Sequence, residues 1–261
     1  MKTFLLLPVL TIVQLISVFA KAYVLPLDTI LHKTAGLAGS SIIAVEQNVI
    51  FKDAGKEFIV KEEWLIEGDK NLRLTATGVG ELKDLIKIHY LYNNKKRTQI
   101  IGKNKTISDM SPEFFEKFLA IKSVESYHTY LKDLGISPKV RLSRASGAIS
   151  FAVGEPSNGK ALSPQIWIDQ DYFRLNKIRF PSESEVEFSD FKAYGNVHYP
   201  TLKIVAWADK NAALQVTKVS TKTGATIKSF YPEALDMPSE IYLSNKGSLG
   251  LKVEEFYKRF R

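Results

Sequence analysis

The chain has 261 residues, 36 Lys and Arg against 28 Asp and Glu, a formal net charge of +8 and no cysteine. The missing thiol excludes a disulfide framework, a Cys nucleophile and a lipidated N-terminal Cys. The basic excess suits solubility, an anionic membrane surface or an acidic partner, but the lysines are scattered and no ribonucleoprotein motif or zinc-finger spacing appears, which argues against nucleic acid.

Lys2, the apolar run Phe4 to Phe19 and the small-x-small Ala20-Lys21-Ala22 read as a signal peptide cut after Ala22. A transmembrane anchor is the alternative, but the run is short and holds Pro8, Gln14 and Ser17. Cleavage removes Lys2 and Lys21, takes the charge from +8 to +6, and leaves 261 − 22 = 239 residues outside the cytoplasm. That length suits one β domain at 23–235 with a tail at 236–261.

Pro26, Asp28 and the apolar spacing of Leu27, Ile30, Leu31 and Leu37 predict a helix over 25–37, ended by Gly36 or Gly39. Strands follow at 41–51, 57–67, 71–78 and 85–92, each alternating between two faces. Phe58, Val60, Trp64 and Ile66 share one face of the second, and Leu72, Leu74 and Ala76 one face of the third. Ile86, Ile88, Tyr90 and Tyr92 share one face of the fourth. Asn93-Asn94 signals a hairpin turn, with 96–101 as the returning arm. Gly102-Lys-Asn-Lys-Thr106 lacks the upstream glycine of a phosphate loop and reads as a solvated basic loop.

The period then changes. Ser111-Pro112-Glu113 starts a helix that places Phe114, Phe115, Phe118 and Ile121 at helical spacing. A second helical segment carries Val124, Tyr127, His128, Leu131 and Leu134 and closes at Gly135. Strands resume at 140–144 and 147–153. Gln165–Asp169 and Phe173–Phe180 form a hairpin around Gln170-Asp171, its second arm alternating with Phe173, Leu175, Lys177 and Arg179 on one face and Arg174, Asn176, Ile178 and Phe180 on the other, and further strands follow at 185–192, 201–208 and 214–221. After Ser229 the pattern weakens, and 249–260 reads as a short amphipathic basic helix. The fold expected from the pattern is mainly β with a few helices: a large antiparallel sheet of about eleven strands, with the helical segments as its covers.

Enzyme signatures are missing. His32, His89, His128 and His198 are dispersed and form no metal motif. There is no Gly-x-Ser-x-Gly elbow, and Gly78-Val-Gly80 lacks the third glycine of a dinucleotide site. Asp169 and Asp171 bracket a turn and serve it better than they would serve as a hydrolase pair. The chain reads as a non-enzyme without a cofactor.

The run PQIWIDQDYFRLNKIRF at 164–180, then Glu187-Phe-Ser-Asp-Phe191 and Tyr199-Pro-Thr-Leu-Lys-Ile204, resembles the periplasmic outer-membrane lipoprotein-sorting proteins, the LolA/LolB-like carriers. The likeness covers about 41–221 and lies more in the order of elements than in single residues. It implies a half-open antiparallel β-barrel of about eleven strands covered by a helical lid, and a periplasmic carrier that shields the acyl chains of a lipoprotein or lipid in an apolar cavity. An inner-membrane exporter and an outer-membrane acceptor would be its partners. On that reading Trp64, Ile66, Leu72, Leu74, Ile88, Tyr90, Phe151 and Ile168 form the cavity wall, with Phe114, Phe115 and Phe118 on the lid. The family's Arg before the third strand has no counterpart: the chain reads Glu67-Gly-Asp-Lys-Asn71, with Lys70 nearest and Arg73 inside the strand. The alternative is a non-lipid envelope-assembly or scaffold protein with a filled core.

Overall fold

The computed structural model describes residues 24–145, 147–157, 159 and 162–261; the predicted signal peptide lies outside them. Fourteen strands form one antiparallel sheet that does not close. The first six make a meander: β1 (Ile42–Asp53), β2 (Lys56–Ile66), β3 (Asn71–Gly78), β4 (Ile86–Asn93), β5 (Lys96–Ile101) and β6 (Asn104–Asp109). The next seven make another: β7 (Val140–Ala145), β8 (Ala148–Val153), β9 (Gln165–Asp169), β10 (Leu175–Arg179), β11 (Glu185–Tyr194), β12 (Val197–Trp207) and β13 (Lys210–Lys222). They join where β1 pairs with β13, so β6 and β7 are the two edges. The two-residue β14 (Glu240–Ile241) adds beside β4.

This order dictates where the helical insertion goes. The chain leaves β6 at one edge and must reach β7 at the other, so residues 110–139 cross the sheet. Phe114 stacks on Tyr92 of β4 at 4.5 Å between ring centroids, while its neighbour Phe115 meets Phe188 of β11 at 6.1 Å. Those strands are six steps apart in the sheet, about 29 Å if it were flat. Adjacent residues can touch both only if the sheet curls until β4 and β11 face each other.

Among the described residues three α-helices cover the concave side: α1 (Leu27–Gly36), α2 (Val124–Asp133) and α3 (Gly247–Phe260). Ser123 caps α2, its Oγ accepting from the Ser126 N–H at 3.1 Å, and Gly135 follows in the left-handed region. Among the described residues no helix is long and apolar enough to cross a membrane.

The structure corrects the sequence reading at four places. Of the expected loop at 102–106, residues 104–106 belong to edge strand β6, whose side chains are nearly all exposed, so no apolar alternation marks it. The hairpin turn is Asn94-Lys95 rather than Asn93-Asn94, both residues at positive φ as a type I′ turn requires. The Phe114–Ile121 stretch is a turn and a short 3₁₀ segment, Glu116–Leu119, rather than a full helix. In β10 an irregularity between Leu175 and Lys177 breaks strict alternation, so Leu175 and Ile178 both reach the core.

α3 packs so closely that one position admits no side chain. A Cβ at Gly250 would lie 2.4 Å from the Leu243 carbonyl oxygen. Gly250→Ala is expected to cost about 1–3 kcal/mol in urea unfolding, an overpacking penalty. Gly36→Ala, with nothing within 4 Å, is expected to be neutral or stabilising by up to about 1 kcal/mol.

Candidate functional site

The concave face is built by alternation. Ile43, Val45, Val49 and Phe51 of β1, Leu72, Leu74 and Ala76 of β3, and Ile88, Tyr90 and Tyr92 of β4 all point inward and are buried. The predicted wall residues share this face. Trp64 and Ile66 of β2, Leu72 and Leu74 of β3, Ile88 and Tyr90 of β4, Phe151 of β8 and Ile168 of β9 are each at most 5 % exposed. They belong to one continuous apolar cluster together with Phe114, Phe115 and Phe118. Trp64 stacks against Phe114 at 5.8 Å, and Phe151 stacks on Phe173 at 6.1 Å.

The face is covered by side chains from elements outside the sheet. α3 contributes Leu249, Val253, Phe256, Tyr257 and Phe260, all buried. Phe256 meets Phe51 edge-on at 5.3 Å, and Phe260 lies 5.4 Å from Trp207 and 6.4 Å from Phe115. Beneath α1 and the crossing segment a gap of about 20 Å³ opens among Leu37, Phe118, Ile121, Tyr127 and His198. That is room for about one water molecule, not for a hydrocarbon chain.

Within this apolar face sits a buried polar node. Three strands of the sheet each place one polar residue at an inward position: Gln47 on β1, Glu62 on β2 and, beyond β13, Lys203 on β12, all 0 % exposed. Glu116 of the crossing segment and Arg261, just past α3, are also 0 % exposed. Lys203 Nζ donates to both Glu116 oxygens at 2.8 and 3.0 Å and to Gln47 Oε1 at 2.8 Å. Tyr199 OH donates to Glu116 at 2.8 Å. Arg261 grips Glu62 with two bonds, Nε at 2.9 Å and a terminal nitrogen at 3.0 Å. Gln47 and Trp64 Nε1 also donate to Glu62, at 2.6 and 3.0 Å. Two carboxylates and two cations thus balance, with their hydrogen-bonding capacity taken up inside the protein.

Electrostatics follow from that packing. Burial by itself would raise the Glu116 carboxyl, but Lys203 and Arg261 outweigh it and hold the carboxyl below its ordinary value of 4.5. Burial and the Glu116 charge push the Tyr199 phenol well above its usual range. Loss of water disfavours the Arg261 charge, yet Glu62 and Glu116 prevail and raise its affinity for the proton.

None of the node residues stood out in the sequence. The signal was present as interruptions: Glu62 between Val60 and Trp64, Gln47 between Val45 and Val49, and Lys203 two before Val205. A polar residue at a position where the alternation demands an apolar one marks either a slip of register or a buried partner elsewhere.

The polar residues weighed as catalytic or metal-binding serve local structure. Asp169 Oδ1 accepts from the Asp171 and Tyr172 backbone N–H groups at 2.9 and 2.7 Å, a turn role. His128 pairs with Asp28 at 2.8 Å across α1 and α2, and the His198 backbone N–H donates to the Leu37 carbonyl. Among the described residues no three His, Asp or Glu side chains gather into a metal-binding group.

Arg261→Ala is expected to destabilise by about 3–5 kcal/mol in urea unfolding, because Glu62 is left buried without its cation. Glu62→Gln in the same chain should recover part of that loss. A depressed carboxyl contributes stability that is complete above its unfolded value and is lost as pH falls through the folded one. Stability should therefore drop on acidification below about 4.5, the ordinary value for Glu116. Glu116→Gln should lower that slope by up to about 1.4 kcal/mol per pH unit.

Against solved structures, the chain is similar to a LolA superfamily protein from Nitrosomonas europaea, with a TM-score of 0.59 and 12% identity over 81% of this chain and 100% of that one. It is also similar to a domain described as an outer membrane lipoprotein-sorting protein from Vibrio parahaemolyticus, with a TM-score of 0.55 and 12% identity over 80% and 97%. A DUF1329 family protein from Desulfovibrio piger aligns with a TM-score of 0.55 and 11% identity over 81% and 99%. No family model and no curated protein sequence matches the chain. At such identities the likeness is one of architecture: the chain has the fold seen in LolA superfamily and lipoprotein-sorting structures, an open antiparallel sheet curled beneath helices.

Proposed function

We propose that this chain is a periplasmic carrier that shields the acyl chains of a lipoprotein or lipid against the concave face, in outer-membrane lipoprotein sorting. Without cargo, α3 fills that face. The observation that carries this reading is the nature of the cover. Leu249, Val253, Phe256, Tyr257 and Phe260 of α3 lie against the apolar face as a hydrocarbon ligand would, while α3 itself adds no strand to the sheet. Trp64, Ile66, Leu72, Leu74, Ile88, Tyr90, Phe151 and Ile168 are then the wall, and Phe114, Phe115 and Phe118 move with the crossing segment as the lid. An inner-membrane exporter would load such a carrier and an outer-membrane acceptor would unload it. The fold supports this reading, being the one found in lipoprotein-sorting structures, and the work requires binding and release without bond chemistry.

A second reading has its own support. The Glu62, Glu116, Lys203 and Arg261 node ties α3 and the crossing segment to the sheet by buried ion pairs. A permanent plug of that kind belongs to a filled-core envelope-assembly or scaffold protein.

The two part under one experiment. Protein purified gently from the periplasm should carry lipid or acylated protein in native mass spectra. The delipidated chain should take up a fluorescent phospholipid probe with two acyl chains, and Phe256→Ser, which loosens α3, should raise that uptake several-fold. A bare chain in the spectra, with no uptake by either form, would leave the scaffold reading standing alone.

A further inference from the structure

Lys117 is a largely buried cation. It is 5 % exposed, and among the described residues its ammonium has no direct ion pair or hydrogen bond, only the longer-range pull of Asp133 and Asp69. Nζ instead lies 4.4 Å from the centroid of the Tyr130 ring and 5.5 Å from that of Phe118. Buried charges in folded proteins are almost always paired, because an unpaired one costs several kcal/mol of lost hydration. Two aromatic faces recover about 0.5–2 kcal/mol each. The carboxylate that would otherwise complete the pair, Asp133, is engaged by Lys95 at 2.5 Å.

The same side chains line an opening. Lys95, Lys117, Tyr130 and Asp133, with Met110 and Pro112, surround a cleft of about 130 Å³ between the crossing segment, α2 and the β4–β5 turn. That volume is several times the roughly 10–15 Å³ that one water needs, which suits a compact group rather than a chain. The cleft gathers two cations against one carboxylate. Burial holds the Lys117 ammonium down to about 8, with Asp133 and Asp69 opposing that shift and Lys95 adding to it.

We propose that this cleft is a binding site for an oxyanion, a phosphate or carboxylate group, with Lys117 as its principal cation and Lys95 at its rim. The group belongs either to a free small anion or to a lipid headgroup. The site lies outside the wall residues and does not require α3 to leave the concave face, although Lys117 shares the crossing segment with Phe118.

The test uses the full mature chain with its lysines ¹³C-dimethylated, a change that keeps their charge. The Lys117 signal is assigned by its loss in Lys117→Met. At constant ionic strength, inorganic phosphate should shift the Lys117 signal saturably and raise its titration midpoint above about 8, since a bound anion favours the charged amine. Dihexanoyl-phosphatidylglycerol forms the second arm. Saturation by phosphate alone identifies a free-anion site, and saturation by the phospholipid alone identifies a headgroup site. In unmodified protein phosphate should raise the urea midpoint by linkage. Lys117→Met should begin with a higher midpoint, having lost an unpaired buried charge, and should no longer respond. If neither ligand moves the Lys117 signal, or if phosphate raises both midpoints equally, the proposal is overturned.

Discussion

Four charges meet where three separate parts of the chain converge: Glu62 and Lys203 from the sheet, Glu116 from the segment that crosses it, and Arg261 beyond α3. Removing any one leaves a net charge where water does not reach, at a cost of about 3–5 kcal/mol. The curl of the sheet, the seat of the crossing segment and the seat of α3 therefore depend on one another. Hydrocarbon of equal volume would be about as stabilising. Ions add register: the two-pronged grip of Arg261 on Glu62, at 2.9 and 3.0 Å, fits only one placement of α3.

The crossing segment shows how topology sets local structure. Its Phe114 and Phe115 must reach opposite walls, toward Tyr92 and Phe188, from adjacent positions. A regular α-helix turns successive side chains by about 100° and would direct later residues away from the face. The chain instead makes a turn and then the 3₁₀ segment Glu116–Leu119, which delivers Glu116 to Lys203 and Phe118 to Tyr130. Helical spacing of the phenylalanines was a true sign of burial and a poor guide to conformation, because the buried ion pair decided the backbone.

What could be read from the residues was whatever left a one-sided apolar imprint. β3 and β5 emerge at their predicted bounds because the alternation and turn residues agree there. The burial of Trp64, Ile66, Leu72, Leu74, Ile88 and Tyr90 was legible for the same reason: each is the inward member of a strand whose sequence alternates. β6 left no imprint because Asn104, Lys105, Ser108 and Asp109 all face water at the sheet edge. The node was illegible for a different reason. Its partners lie far apart in sequence, Glu62 and Arg261 most of all, and a lone polar residue in an apolar row carries no record of its partner. The role of α3 was hidden likewise: an amphipathic stretch says that one face is buried, not against what.

The strength of the plug constrains what cargo could displace it. Exposing the five apolar side chains of α3 would cost about 8–15 kcal/mol at roughly 1.5–3 kcal/mol each. Separating Arg261 from Glu62 adds about 3–5 kcal/mol. An acyl chain of about 15 methylenes recovers about 12 kcal/mol at roughly 0.8 kcal/mol per methylene. One chain thus falls near or below the cost of moving α3, whereas two or three exceed it. On the carrier reading, α3 acts as a threshold: it yields to a cargo with several acyl chains and keeps its place against single fatty acids. That selectivity would come from competition for one face rather than from the shape of a standing cavity, which is consistent with a concave side that is full when no cargo is bound.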